Sequence, residues 1–127
     1  LELDLKEPSV VWGDAQRLRQ LFFVLVDNAI KYTERGGKVT ISLKGEPSRA
    51  KALVADTGIG IPGKDLPHIF DRFYRVERAD CKPEGSEAGT GLGLSIAQSI
   101  AKAHAGEIGV ESELGLGTTF SVLLPRA

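Results

Sequence analysis

The chain has 127 residues, 42% hydrophobic and 26% charged, an ordinary balance for a globular domain with one core. Its 16 basic and 17 acidic residues leave a formal net charge of -1, so no global field recruits nucleic acid or an anionic membrane. One cysteine, Cys81, excludes an internal disulfide and a cysteine-ligated metal centre. No apolar stretch approaches the roughly 18 residues of a membrane span, and no signal-peptide pattern opens the chain. The chain starts at Leu1 and contains no methionine, which reads as a piece of a longer protein.

In chain order, Leu1, Leu3 and Leu5 alternate with Glu2 and Asp4, the pattern of a half-buried strand. Val10-Val11-Trp12 reads as a second short strand, and Asp14 as the N-cap of a long helix running to about Thr33. After a Gly36-Gly37 turn, Lys38 to Lys44 alternates through Val39, Ile41 and Leu43 as a strand. Glu46 to Arg49 makes another turn, and Ala50 to Asp56 returns as the hairpin partner. Asp65 to Arg75 reads as short helical pieces, and residues 79 to 92 (ADCKPEGSEAGTGL) have the composition of a mobile loop. Gly93 to Ala105 predicts a helix with Gly106 as its C′ glycine. Glu107 to Ser112 and Thr118 to Leu124 follow as two strands around a turn at Gly115 and Gly117. The sum is one α/β domain without repeats.

The long helix carries two faces. Leu18, Leu21, Phe22, Leu25 and Ala29 follow helical spacing as a core stripe. Asn28, Lys31 and Tyr32, at i, i+3 and i+4, form a second patch displaced by roughly 90° from that stripe. An amide oxygen suits a hard cation such as Mg²⁺, an ammonium suits a phosphate, and a phenol ring suits a base. Alone, this patch reads more readily as a solvated helix face.

Two glycine clusters frame the remaining question. DTGIGIP, residues 56 to 62, ends a strand in a carboxylate and continues almost without side chains; a plain turn is one reading and a ligand-facing loop the other. GTGLGLS, Gly89 to Ser95, opens a helix where backbone N–H groups and the helix N-terminus could face an anion. Its spacing is not that of a dinucleotide fold, and no Gly-Lys-Ser/Thr follows as a Walker loop requires. Capping and hinge explanations stand beside the anion reading.

Taken together, the motifs resemble the catalytic, ATP-binding domain of bacterial sensor histidine kinases, in the superfamily that includes gyrase, Hsp90 and MutL. LFFVLVDNAIKYT (Leu21 to Thr33) looks like that family's asparagine box, and DTGIGIP like its first glycine box. IFDRFYRVERA (Ile69 to Ala79) resembles the phenylalanine box, and GTGLGLSIAQSIAKAHAGEIGVES (Gly89 to Ser112) the second glycine box with the helix and strand after it. GLGTTFSVLLP (Gly115 to Pro125) resembles the closing hairpin, so the likeness runs from about Leu1 to Pro125. The resemblance implies the Bergerat fold, an α/β two-layer sandwich. In it a mixed, mainly antiparallel sheet is packed on one face by about three helices, and the whole chain, 1 to 127, is the catalytic domain.

It also implies roles. Asp56 would accept a hydrogen bond from the adenine amine, with Gly58 and Gly60 letting backbone approach the base. Asn28 would hold Mg²⁺, while Lys31 and Arg75 would contact the phosphates. Tyr32 and Ile61 would flank the adenine. Gly89, Thr90, Gly91, Leu92 and Gly93 would wrap the triphosphate, and Thr118 would support the adenine contact. Phe70 and Phe73 are expected to be packing residues. Val24 departs from the family pattern: one turn before Asn28, relatives often carry a polar residue, and the hydrolysing ones a catalytic Glu. Valine supplies no base, which argues against an autonomous ATPase.

His68 and His104, the two histidines, stand in no acceptor context, and the acceptor is expected on a dimerisation and phosphotransfer domain preceding Leu1. The expected function is to bind ATP and Mg²⁺ and donate the γ-phosphoryl to that histidine in two-component signalling. A response regulator would act downstream, and the whole protein would be a homodimeric sensor with this domain on the cytoplasmic side of an inner membrane, itself touching neither membrane nor nucleic acid. A serine kinase of the same superfamily and a non-catalytic nucleotide-sensing module are the alternatives. Residues 79 to 89 are expected to act as a nucleotide lid, with Cys81 accessible to thiol reagents when no ligand is bound.

Overall fold

A computed structural model describes residues 11–33, 36–45, 47–74 and 93–125, and the backbone of residues 2–5. The elements in chain order are β1 (Glu2–Leu5), α1 (Ala15–Tyr32), β2 (Val39–Gly45), β3 (Arg49–Asp56), a 3₁₀ turn (Leu66–His68), α2 (Gly93–Ala103), β4 (Glu107–Glu113) and β5 (Gly117–Pro125). The sheet order is β1-β2-β3-β5-β4, with β1 parallel to β2 and every other pair antiparallel. Both α-helices lie on one face, as the two-layer expectation requires. Of the third helical piece, expected over residues 65 to 75, the described residues show a single 3₁₀ turn (His68 N–H to Asp65 O) followed by two separate turns (Asp71 N–H to His68 O, Tyr74 N–H to Asp71 O), and Arg75 lies outside them.

Antiparallel register places partner residues on the same side of the sheet, so the core can be read in rows. Leu43, Ala52, Val122 and Ile108 form one row, and Ile41, Val54, Phe120 and Val110 the next. Against these rows pack Leu21, Leu25 and Ala29 of α1 and Ala97, Ile100 and Ala101 of α2, all buried. Leu18 and Phe22 complete the stripe half-buried. Phe70 meets Phe120 edge-on at 6.3 Å between ring centres, so it packs as expected. Phe73 does not: it is 64% exposed, has φ 66°, and lies under the Arg72 guanidinium at 5.4 Å.

α1 starts where the sequence places it. Asp14 is extended (ψ 110°) and its Oδ1 accepts the N–H groups of Gln16 at 3.0 Å and Arg17 at 3.3 Å. At the other end the Thr33 hydroxyl donates to Ala29 O at 2.6 Å. Of the strand expected at Val10-Val11-Trp12, the described residues Val11 and Trp12 form no part. Val10 lies outside the described residues, Val11 packs half-buried on the core, and Trp12 is 84% exposed. The backbone there turns toward a helix instead of a ladder: the Asp14 N–H donates to His104 Nε2 at 3.0 Å. His104 therefore carries its proton on Nδ1, which donates to Ile100 O at 2.8 Å, and the imidazole ties the start of α1 to the end of α2. A Cβ on Gly13 would lie 2.4 Å from that ring, so glycine lets the clip close.

The end of α2 corrects another expectation. The Gly106 N–H donates to Ala101 O at 2.8 Å and the Ala105 N–H to Lys102 O at 3.0 Å, which is a Schellman cap with Ala105 at C′. Ala105, not Gly106, has the left-handed conformation (φ 60°). Gly106 is glycine because a Cβ would sit 2.3 Å from Leu123 O on β5. β4 forms one edge of the sheet and exposes Glu107, Glu111 and Glu113.

Beside the 3₁₀ turn, the Tyr74 hydroxyl donates to Oδ1 of Asp65, a carboxylate only 6% exposed, while His68 stacks on the Tyr74 ring at 5.3 Å. The hydrogen bond to Asp65, then burial and the nearby negative charges of Asp65 and Asp71, raise the Tyr74 pKa above its ordinary 10.0.

Two predictions follow from these ends and turns. Ala105→Gly should stabilise the fold by up to about 1 kcal/mol by relieving a left-handed alanine, whereas its neighbour Gly106→Ala should destabilise it, read by urea denaturation. Same-sign effects would contradict the cap. For Tyr74, a raised pKa means that its bond contributes fully below the ordinary tyrosine value and is lost as pH rises through the elevated one. Tyrosinate absorbance of wild type minus Tyr74→Phe should therefore titrate late, and Asp65→Asn should return it toward the ordinary range.

Candidate functional site

The apolar rows end in a polar one. Beyond Ile41–Val54–Phe120–Val110 the register brings Val39, Asp56, Thr118 and Ser112 side by side on the helix-facing side. A carboxylate and two hydroxyls there are sheltered by the same helices that cover the core. Thr118 is 7% exposed, and Asp56 is half-buried. Asp56 Oδ1 accepts two backbone N–H groups, from Gly58 at 2.9 Å and Thr118 at 3.3 Å. These bonds fix the carboxylate's orientation.

Residues 57 to 61 leave the strand end under close control from three directions. Thr57 exchanges bonds with Lys38, N–H to O at 3.0 Å and Lys38 N–H to Thr57 Oγ1 at 2.8 Å. The Ile59 N–H donates to Tyr32 O at the end of α1 at 3.2 Å, and Ile59 O accepts the Gly115 N–H of the β4–β5 turn at 2.8 Å. The Ile61 N–H donates to Ser112 Oγ at 2.8 Å.

This clamp explains the glycines in terms other than a bound base. A Cβ on Gly58 would lie 2.2 Å from Tyr32 O, and one on Gly60 (φ 75°) 2.2 Å from Glu113 O. On Gly117 (φ 139°) a Cβ would lie 2.0 Å from Asp56 O. In each case the protein's own backbone occupies the space, so these glycines are required before any ligand arrives.

α1 supplies the second wall. Val24, Asn28 and Tyr32 follow one another at intervals of four along one helix row, spanning about 12 Å. At the Val24 end the row meets the start of α2, where a Cβ on Gly93 would be 3.3 Å from Val24 Cγ1. At the Tyr32 end it meets Gly58. Val24 thus seals the seam between the helices, with no polar atom to offer. Asn28 and Tyr32 are half-buried, off the core stripe. Lys31 pairs with Asp27 at 2.8 Å, both partly exposed.

Asp56, Gly58, Gly60, Ile61, Thr118, Tyr32, Asn28 and Gly93 are thereby joined through α1, the loop after β3 and the closing hairpin. Arg75, Gly89, Thr90, Gly91 and Leu92, and the expected lid with Cys81, lie outside the described residues. Sequence reasoning missed Ser112. Its signal was available in the hairpin, since counting back across the Gly115–Gly117 turn pairs it with Thr118. Among the described residues no cluster of three His, Cys, Asp or Glu side chains could cage a metal ion. A hard cation would find one amide oxygen at Asn28, and an oxygen-rich ligand such as a phosphate chain would have to complete its shell. The residues fit that arrangement.

Comparison with known proteins agrees with this architecture. Residues 13–127 match the family described as histidine kinase-, DNA gyrase B- and HSP90-like ATPase. The sensor histidine kinase RppB of Synechocystis is 46% identical over 126 residues, 98% of this chain and 27% of that protein. YkoH, a sensor histidine kinase of Bacillus subtilis, is 44% identical over 122 residues, 96% of this chain and 26% of its own length. The chain thus spans about a quarter of these relatives. Among solved structures, the mycobacterial sensor histidine kinase MprB superposes with a TM-score of 0.85 at 31% identity, covering 98% of this chain and 82% of that one. Full-length ShkA in complex with AMPPNP gives 0.79 at 31% identity over 99% of this chain and 26% of that one. With the matched segment, the two-layer sheet and the order of its motifs in agreement, the chain belongs to the histidine kinase-, DNA gyrase B- and HSP90-like ATPase family, as a catalytic domain of the histidine kinase type.

Proposed function

We propose that this chain binds ATP with Mg²⁺ along the row of residues from Gly93 past Asn28 to Asp56 and donates the γ-phosphoryl to a histidine on a separate dimerisation domain of the same protein. The observation that carries the reading is the polar row. A carboxylate oriented by two backbone N–H groups closes an otherwise apolar ladder and lies beside Thr118, next to the loop that meets the end of α1 at Tyr32. An ionised carboxylate only accepts, which suits the exocyclic amine of adenine. Tyr32 and Ile61 supply flat and apolar contact for the ring. The solved AMPPNP complex of ShkA supports nucleotide binding in a relative of this fold.

Further along α1, Asn28 offers its amide oxygen to the cation. When bound, Mg²⁺ neutralises charge on the triphosphate. Lys31 reaches a phosphate by giving up Asp27, an exposed pair worth about 0–1 kcal/mol, so the exchange costs little. Arg75 and the Gly89–Leu92 segment complete the phosphate contacts in this proposal. Val24 offers water no base, so the chain positions ATP without consuming it, and the acceptor's own domain deprotonates the histidine. The sensor kinases it resembles are about four times longer, which leaves room for a dimerisation domain in the same protein; a downstream response regulator and a homodimeric, membrane-inserted sensor complete the proposed setting.

Asp56→Asn can keep Oδ1 on the Gly58 and Thr118 N–H groups while turning an NH₂ toward the base. ADP binding by calorimetry should weaken at least about tenfold with circular dichroism unchanged. Unchanged affinity in a folded variant would remove Asp56 from adenine recognition. The chain alone should hydrolyse ATP barely above background, yet transfer radiolabel to an added histidine domain from a matching kinase. Asn28→Ala should abolish that transfer while leaving the fold intact. Vigorous hydrolysis by the chain alone would instead favour the ATPase members of the family.

A further inference from the structure

We infer that Ser112 determines the base specificity of the site by fixing the direction of the Thr118 hydroxyl proton. The inference rests on the adenine reading above and adds a residue to it. Ser112 Oγ has three neighbours: it accepts the Ile61 N–H at 2.8 Å, lies 3.0 Å from Gly117 O, and lies 2.8 Å from Thr118 Oγ1. A serine hydroxyl has one proton. Gly117 O can only accept, so the Ser112 proton goes there. The Ser112–Thr118 bond must then be made with the proton of Thr118. Thr118 Oγ1 has no other hydrogen-bond partner among the described residues, and at 7% exposure it has little water to turn to.

The consequence is a polarised row. With its proton committed to Ser112, Thr118 Oγ1 presents only lone pairs, and it neighbours Asp56, whose carboxylate also presents only lone pairs. The surface offered to a base is all acceptor. An exocyclic amine, with two N–H groups, satisfies it. A carbonyl at the same position sets lone pairs against lone pairs in a sheltered site, where unpaired polar groups are costly. Ser112 touches neither base nor phosphate and acts through Thr118 and Ile61. It is a positioning residue that sets specificity.

The test compares adenosine diphosphate with inosine diphosphate, which carries a carbonyl in place of the exocyclic amine. Dissociation constants of both are measured for the wild type, Ser112→Ala, Ser112→Cys and Ser112→Thr. The wild type should prefer the adenine nucleotide. In Ser112→Ala the Thr118 proton is released and can donate to the carbonyl, so the preference should fall about tenfold, chiefly through tighter inosine binding. Ser112→Cys keeps the volume with a poor acceptor and should behave likewise, which guards against a variant that fails to fold. Ser112→Thr restores the hydroxyl and should restore the preference. A merely structural role would weaken both nucleotides together and leave their ratio unchanged, which overturns the inference. So would a wild type without preference. If Asp56→Asn leaves adenine binding unchanged, the reading of the whole site falls. If Asp56→Asn weakens binding but the Ser112→Ala ratio is unmoved, only the role of Ser112 falls.

Discussion

The structure depends on a place where three backbone segments come closer than side chains allow. The α1 carbonyl of Tyr32, the β4 carbonyl of Glu113 and the β3 carbonyl of Asp56 each lie within 2.2 Å of where a Cβ would stand on Gly58, Gly60 or Gly117. This contact places the end of the long helix, the loop after β3 and the last hairpin in one rigid frame. The carboxylate of Asp56 is held at the centre of that frame by N–H groups of the loop and of the hairpin. A site assembled this way is set by main-chain geometry, and its polar side chains inherit their positions.

That origin explains how much could be read beforehand. The alternation of Val39, Ile41 and Leu43 and the helical spacing of Leu21, Leu25 and Ala29 record burial directly, so the sheet and α1 were legible. Asp14 announced its cap because its carboxylate acts within its own helix. The failures are non-local. Val11 and Trp12 look like strand residues, yet the segment is claimed by His104, 90 positions downstream of Asp14. Gly106 looks like a left-handed cap, but it is glycine because of β5, while alanine at 105 accepts the unfavourable φ.

The candidate site shows the same division. Asp56, Asn28 and Tyr32 stood out as candidates from the order of motifs, whereas the backbone atoms that Gly58 and Gly60 make room for could not be foreseen, because they belong to α1 and β4. Ser112 escaped notice since serine in a strand carries no signal alone, and only its register with Thr118 gives its hydroxyl a task. Phe73 shows the converse, a large apolar residue whose turn conformation points it outward despite its type.

The edge position of β4 bears on how copies of this chain behave toward one another. An outer strand offers unpaired main-chain groups as a template on which a second molecule could extend the sheet. Here that strand carries Glu107, Glu111 and Glu113, all exposed, so a like strand laid against it would bring rows of negative charge together at pairing distance. The carboxylates act as gatekeepers against fibre-like association, since a further rung made by the same strand would set like charges against each other.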